Sequence, residues 1–246
     1  NRLFSFSEVY MSLCEEVRSS NYIKYYNPKN QKLIISGHGL ASGPANLFNF
    51  AAVENICRNK MSIDFIAMVF HNAEEFLQTS IAKQTSILNN VISHHAKFYN
   101  EIYLIGCSYS SLACLQVDFS NITKLVLVVP SLNVRDSWSL DRSKSFKLNG
   151  EDLYLNFDST VPRAYSSDLK DEGLLYGIDK AKDMLDALNV PTLIINAKDD
   201  PYYYLSRSLS YNNDLIEEHV IENAGHDLQQ LGVMKSVLNK TFRFFK

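Results

Sequence analysis

The stretch IYLIGCSYSSLACL, residues 102–115, decides how the rest of the chain is read. It opens as an apolar run of strand length and, directly after Ser108, continues as a helix-like stretch that begins with small residues. A strand that hands over to a helix so abruptly leaves no room for bulky side chains around the turn. Gly106 and Ser110, two residues either side of Ser108, meet that requirement. Similar apolar runs lie upstream, KLIISG (32–37) and FIAMVFH (65–71), and downstream, KLVLVVP (124–130), PTLIINA (191–197) and the weaker EEHVIENAG (217–225). They are apolar on both alternating faces, as strands buried between two helical layers must be. Between them, residues 44–59, 81–97, 110–119 and 234–245 are amphipathic at helical spacing and long enough to cross from one parallel strand to the next.

The expected fold is therefore an α/β domain, a mostly parallel sheet flanked by helices, spanning 1–246 as one unit. Ser5 and Glu8, ahead of residues 9–17, resemble a capping box and predict an N-terminal helix. Residues 131–176 separate two strand runs by far more than a crossover requires, which predicts an inserted cap. In it Trp138, Leu140, Phe146, Leu148, Leu153, Leu155 and Phe157 recur among polar residues, either packing the cap down or lining an apolar pocket.

A net charge of -3 and a pI near 6.1 give no electrostatic footprint for nucleic acid. No apolar run reaches the roughly 18 residues that span a bilayer. The first residues lack the basic start, long apolar stretch and cleavage site of a secretory signal, and the chain opens on Asn1 rather than Met, which leaves room for an upstream segment. Cys14, Cys57, Cys107 and Cys114 are scattered without metal-ligand spacing, the pattern of reduced, packed thiols, so a cytoplasmic address is expected.

The 106–110 segment, GCSYS, departs from the nucleophile-elbow pattern G-x-S-x-G only at Ser110. A serine at a strand end is commonly a cap or turn residue, so Ser108 needs partners before it means more. A hydroxyl becomes a useful nucleophile beside an imidazole that a carboxylate orients. The chain supplies both in the order this elbow demands. PTLIINAKDDPYY (191–203) puts Asp199 and Asp200 just past a strand, and ENAGHDLQQL (222–231) puts His226 in a small-residue loop after the last one. Asp-Asp-Pro is also a turn former, and a lone loop histidine is usually just exposed. All three at strand carboxyl ends, in order, make Ser108, Asp200 and His226 the expected catalytic triad. Asp200 is preferred to Asp199 by its spacing from the strand and Pro201; His219 is the rival base but lies within a strand-like segment.

Acyl chemistry also needs donors for a developing oxyanion. The backbone N–H of Tyr109 follows the nucleophile, and the loop SGHGLASG (36–43) offers a second through Leu40, with His38 as a supporting loop residue and Gly37, Gly39 and Gly43 permitting close approach. His94 and His95 diverge by about 100° on a helix, unlike an i, i+4 zinc pair. With no phosphate-binding glycine–lysine loop either, no metal or nucleotide cofactor is expected.

Taken together, GCSYS, KDDP (198–201), NAGHD (223–227) and GHGLASG (37–43) resemble the α/β-hydrolase superfamily along nearly the whole chain. VVPSLNVRDSWSLDRSKSF (128–146), the acidic pair and the GHDL segment are more narrowly similar to the acyltransferase, or acyl-protein thioesterase, of the bacterial luminescence fatty-acid reductase system, which also has serine two residues after its nucleophile. The resemblance implies a fatty-acyl group taken from a thioester, with an acyl-carrier protein or CoA as carrier, and an acyl pocket built partly by the cap, for which Trp138, Leu140, Phe146 and Phe157 are the candidates. Two features differ: NAEEFLQTS (72–80) is shorter, and Gly106 stands where that family tends to have alanine. The same machinery would serve a carboxylesterase or lipase acting on oxygen esters, and a non-catalytic binding protein could use the same scaffold.

Overall fold

The computed structural model of the chain describes residues 15–18, 21–27, 29–40, 46–70, 80–139, 144–148, 151–156 and 163–246. Its sheet is assembled from β1 (Glu15–Arg18), β2 (Tyr22–Tyr26), β3 (Lys32–Gly37), β4 (Ile63–Met68), β5 (Glu101–Cys107) and β6 (Lys124–Val128). Further along the chain come β10 (Thr192–Ala197) and β11 (Ile216–Ile221), after β7 (Lys144–Leu148), β8 (Glu151–Asn156) and β9 (Arg163–Ser166), which form a separate sheet. The eight-stranded order is β1-β2-β4-β3-β5-β6-β10-β11. From β4 to β11 every neighbouring pair is parallel, whereas β1 and β2 run antiparallel at one edge.

Alternation along these strands divides the interior into two cores. Leu33 and Ile35 of β3, Leu104 of β5, and Leu125 and Leu127 of β6 face one side. The residues between them, Ile34, Tyr103, Ile105, Val126 and Val128, face the other. The first side is covered by α2 (Ile81–His95) and α6 (Ile178–Asp186) through Leu88, Ile92, Ala181 and Leu185. The second is covered by α1 (Leu47–Arg58) and α8 (Val233–Phe244) through Phe48, Val53, Val237 and Phe242. Complete burial of side chains of this size stabilises by roughly 1.5–3 kcal/mol each, which is why runs apolar on both faces settle in the middle of the sandwich. Helix starts are marked chemically: the Asn46 side chain accepts from the Asn49 N–H at 2.8 Å to begin α1, and the Ser80 hydroxyl accepts from Lys83 at 3.2 Å to begin α2.

The remaining helices are α3 (Ser110–Cys114), α4 (Val134–Ser139), α5 (Ser167–Gly173) and α7 (Pro201–Ser206). The expected helix over 110–119 ends early, at Cys114. Residues 115–118 are turn and coil instead and lead into a 3₁₀ segment, Phe119–Asn121, which the Asp118 side chain starts by accepting from the Ser120 N–H at 2.9 Å. The expected N-terminal helix over 9–17 is corrected where it is described: Glu15, Glu16 and Val17 are strand, pairing with Tyr26, Tyr25 and Lys24. Ladder pairing at a sheet edge outweighs the weak local preference for helix. Ser5, Glu8 and the rest of that segment lie outside the described residues.

Residues 131–176 hold α4, an antiparallel three-stranded sheet in the order β7-β8-β9, and α5. The spacing of Phe146 and Leu148, and of Leu153 and Leu155, is the period of two that a strand requires.

Candidate active site

The chain passes from β3 to β4 on one side and then to β5 on the other, so β3 and β5 are neighbours at the point where strand order reverses. Crevices outside the carboxyl ends of strands at such a point are the usual ligand sites of open α/β sheets. The loop after β3 and the turn after β5 meet there, and Ser108 is the first residue beyond β5.

Ser108 has φ +54°, a left-handed conformation that a residue with a Cβ adopts only under constraint. The constraint is visible in its neighbours. A Cβ at residue 106 would stand 2.8 Å from the Ser111 Cα, a backbone atom, so only glycine fits there. Ser110 is fully buried, and its hydroxyl accepts from the Cys107 N–H and donates to the Cys107 carbonyl, both at 3.0 Å. The serine in the second glycine position thus ties the turn closed with its own side chain.

From this turn a hydrogen-bonded chain runs through three loops. The Ser108 Oγ is 2.8 Å from His226 Nε2, and His226 Nδ1 is 2.7 Å from Asp200 Oδ2. The carboxylate is 1% exposed, and its other oxygen accepts from the Tyr202 N–H at 2.8 Å, capping α7 with Pro201 in its first turn. Asp200, held on two sides, is an acceptor only, so His226 Nδ1 carries the proton and Nε2 is free to accept from Ser108. The Tyr202 ring packs on the imidazole, centroids 4.6 Å apart. Asp199 is exposed, and His219 sits on edge strand β11 opposite Ile195. Positive φ at Asn223 and Leu228 bends the chain on either side of His226.

Leu40 lines a cavity of about 220 Å³ beside Ser108, together with Gly39, Phe48, Val129, Leu228 and Met234. A Cβ at residue 39 would come within 3.1 Å of the Ser108 Cβ, so the β3 loop reaches Ser108 only as bare backbone. Tyr109, with its buried ring, starts the turn into α3. His38 is buried and structural. Its Nε2 accepts from the Phe70 N–H at 3.2 Å, which leaves Nδ1–H to donate to the Gly39 carbonyl at 3.0 Å.

Burial pushes the Cys107 thiol up to about 12 and raises that of Cys114 as well, so both sulfurs beside the elbow are held as unreactive thiols. Leu140 and Phe157 lie outside the described residues, as do the side chains of Trp138 and Phe146 and residue Gly43. Two contacts were not foreseen. Tyr202 carries a signal, its place directly after Asp-Pro. Ser131, whose hydroxyl lies 3.3 Å from the Ser108 Oγ, carries only its position just past a strand end.

No protein-family model matches the chain. No curated protein matches it in sequence. Solved structures do match in shape. Est1E from Butyrivibrio proteoclasticus, a structure with ferulic acid bound, superposes with a TM-score of 0.72 at 16% identity, covering 94% of this chain and 97% of that one. Dienelactone hydrolase from Anabaena variabilis gives 0.65 at 13% identity over 95% and 97%. Mouse alpha/beta hydrolase domain-containing protein 10 gives 0.65 at 10% identity over 94% and 98%. The fold is the α/β-hydrolase fold.

Proposed function

We propose that the protein is a serine acyl hydrolase or acyltransferase that cleaves a fatty-acyl thioester, carried on an acyl-carrier protein or CoA, through an acyl-enzyme at Ser108. The observation that carries this reading is the unbroken relay from the Ser108 Oγ through His226 to buried Asp200, with bonds of 2.8 and 2.7 Å. His226 takes the Ser108 proton as the Oγ attacks the acyl carbonyl. The backbone N–H groups of Leu40 and Tyr109 are the donors for the oxyanion. As the tetrahedral species collapses, the carbon–sulfur bond breaks and the proton on His226 passes to the departing sulfur. Water or another hydroxyl then repeats the sequence in reverse and frees Ser108. Asp200 stabilises the imidazolium in both halves without itself becoming protonated.

The thioester preference and the cap-built acyl pocket of Trp138, Leu140, Phe146 and Phe157 rest on the resemblance in sequence. The free Cys57, Cys107 and Cys114 suit a cytoplasmic setting for such a reaction. A second reading, hydrolysis of oxygen esters, is favoured by an esterase domain and lipolytic enzymes among the structures of similar shape. Acyl-thioester and oxygen-ester series of matched chain length separate the two: the thioester reading expects the higher kcat/KM on thioesters, and a strong preference for oxygen esters overturns it. A fluorophosphonate probe tests both against a non-catalytic binding protein, which would remain unlabelled.

A further inference from the structure

Immediately after β6 the backbone does something a valine resists. Val129 has φ +42°, and for a β-branched residue that conformation is a true outlier, sustained only where the surroundings impose it. The Val129 N–H is held by the Ile195 carbonyl of β10 at 2.7 Å, and Pro130 follows with its own φ restricted. The outcome of this bend is specific. Ser131, 5% exposed, is turned back onto the nucleophile, where its N–H donates to the Ser108 carbonyl at 3.2 Å and its hydroxyl lies 3.3 Å from the Ser108 Oγ. The Ser108 N–H in turn donates to the Val128 carbonyl at 2.9 Å, so backbone bonds bracket the pair of hydroxyls from both sides.

The direction of the hydroxyl–hydroxyl bond follows from the rest of the relay. Asp200 fixes the proton on His226 Nδ1, Nε2 must accept, and the single Ser108 proton points at it. The Ser108 Oγ can then only accept from Ser131. We infer that Ser131 is a further catalytic residue, a donor to the reacting oxygen itself, and that the strain at Val129 is retained because it delivers this hydroxyl. The inference rests on Ser108 being the nucleophile, as proposed above. During attack, the Ser108 O–H bond breaks, its proton goes to His226 Nε2 and the bond from Oγ to the acyl carbon forms. Ser131 keeps its own proton throughout. What changes is its hydrogen bond. It strengthens while the proton leaves the Oγ ahead of the new carbon–oxygen bond and relaxes as the charge passes to the carbonyl oxygen, so that it lowers the barrier at the proton-transfer stage of attack.

The test is the rate of labelling by a fluorophosphonate, in which the bond from the Ser108 Oγ to phosphorus forms, the phosphorus–fluorine bond breaks and the Ser108 proton leaves by way of His226. Wild type, Ser108→Ala, Ser131→Ala and Ser131→Thr are compared, with thermal melting of each. Ser131→Ala is expected to label about tenfold to a hundredfold more slowly, the loss of one hydrogen bond to a developing charge, at unchanged Tm. Ser131→Thr, which keeps the hydroxyl, is expected to recover most of that rate. Wild-type labelling in Ser131→Ala, with Ser108→Ala silent, overturns the role of Ser131 and leaves the nucleophile standing. A slowed rate matched by a fallen Tm and not recovered by threonine makes Ser131 merely structural and also overturns it. Failure of wild type to label at all overturns both readings together.

Discussion

His226 donates from Nδ1 to Asp200 at 2.7 Å, while the adjacent Asp199 turns its side chain to solvent. Two consecutive carboxylates thus have opposite fates, because Asp200, directly before Pro201, becomes the N-cap of α7 and is drawn inward. The expected consequence is a sharp asymmetry between substitutions. Asp200→Ala should reduce kcat by on the order of ten-thousandfold and, through loss of the cap, cost about 1 kcal/mol in stability. Asp199→Ala should stay near wild type on both counts. Steady-state kinetics and urea unfolding of the two variants check this, and a larger kinetic effect at Asp199 would reassign the acid.

Ser108 combines the hydroxyl proposed to react with a strained backbone, and the two can be separated. Ser108→Ala removes the hydroxyl and keeps the Cβ at φ +54°; turnover should fall by on the order of a millionfold. Ser108→Gly removes both. It should be equally inactive, yet more stable than Ser108→Ala by about 1 kcal/mol, since glycine adopts the left-handed region without steric cost. Denaturant midpoints of the two dead variants give the comparison directly, and equal midpoints would mean that the turn carries no stored strain.

Much of this architecture can be read from the residues because its signals are strong and local. Runs such as Leu33 to Ile35 and Leu125 to Val128 are buried on both faces, and no surface strand would carry them. Asp200 is legible because it follows such a run within a few residues, whereas His226 follows the weaker run of edge strand β11, mostly exposed or half-buried, and is legible from its small-residue loop. The antiparallel edge was not. Tyr22–Tyr26 is half-buried throughout and mixes aromatic rings with Lys24, so it carries no clear period, and β1 depends on it for pairing. Ser131 was invisible for another reason: its place beside Ser108 is created by an unfavourable φ at Val129, and propensity rules argue against a bend there. A strained residue is where local reading is expected to fail.

At Gly106 a Cβ would stand 2.8 Å from the Ser111 Cα and 3.1 Å from the Cys114 Sγ. The helix after the elbow lies too close to β5 for a methyl group. Gly106→Ala should therefore destabilise by about 1–3 kcal/mol as the elbow is forced open, and slow turnover by displacing Ser108. Pairing it with Cys114→Ala relieves only the sulfur contact, so most of the loss should persist in unfolding measurements. Wild-type stability in Gly106→Ala would show that α3 can move away at little cost.

His95, 3% exposed at the end of α2, has neither ring nitrogen hydrogen-bonded among the described residues, and it packs edge-on against Tyr22 and Tyr99. Burial, reinforced by the charges of Lys24 and His94, lowers its pKa from 6.5 to about 4. The folded protein therefore holds this ring neutral at a pH where the unfolded chain binds a proton. Stability linked to His95 is complete above about pH 6.5 and falls as the pH drops towards 4, the direction in which the unfolded state gains protons. At pH 5 the loss should be about 1–2 kcal/mol after allowance for residual solvent access. His95→Phe cannot be protonated, so urea midpoints measured between pH 7 and 5 should be flatter for it than for wild type. Parallel curves would place the acid sensitivity elsewhere and mean that the ring finds a proton acceptor when it is charged.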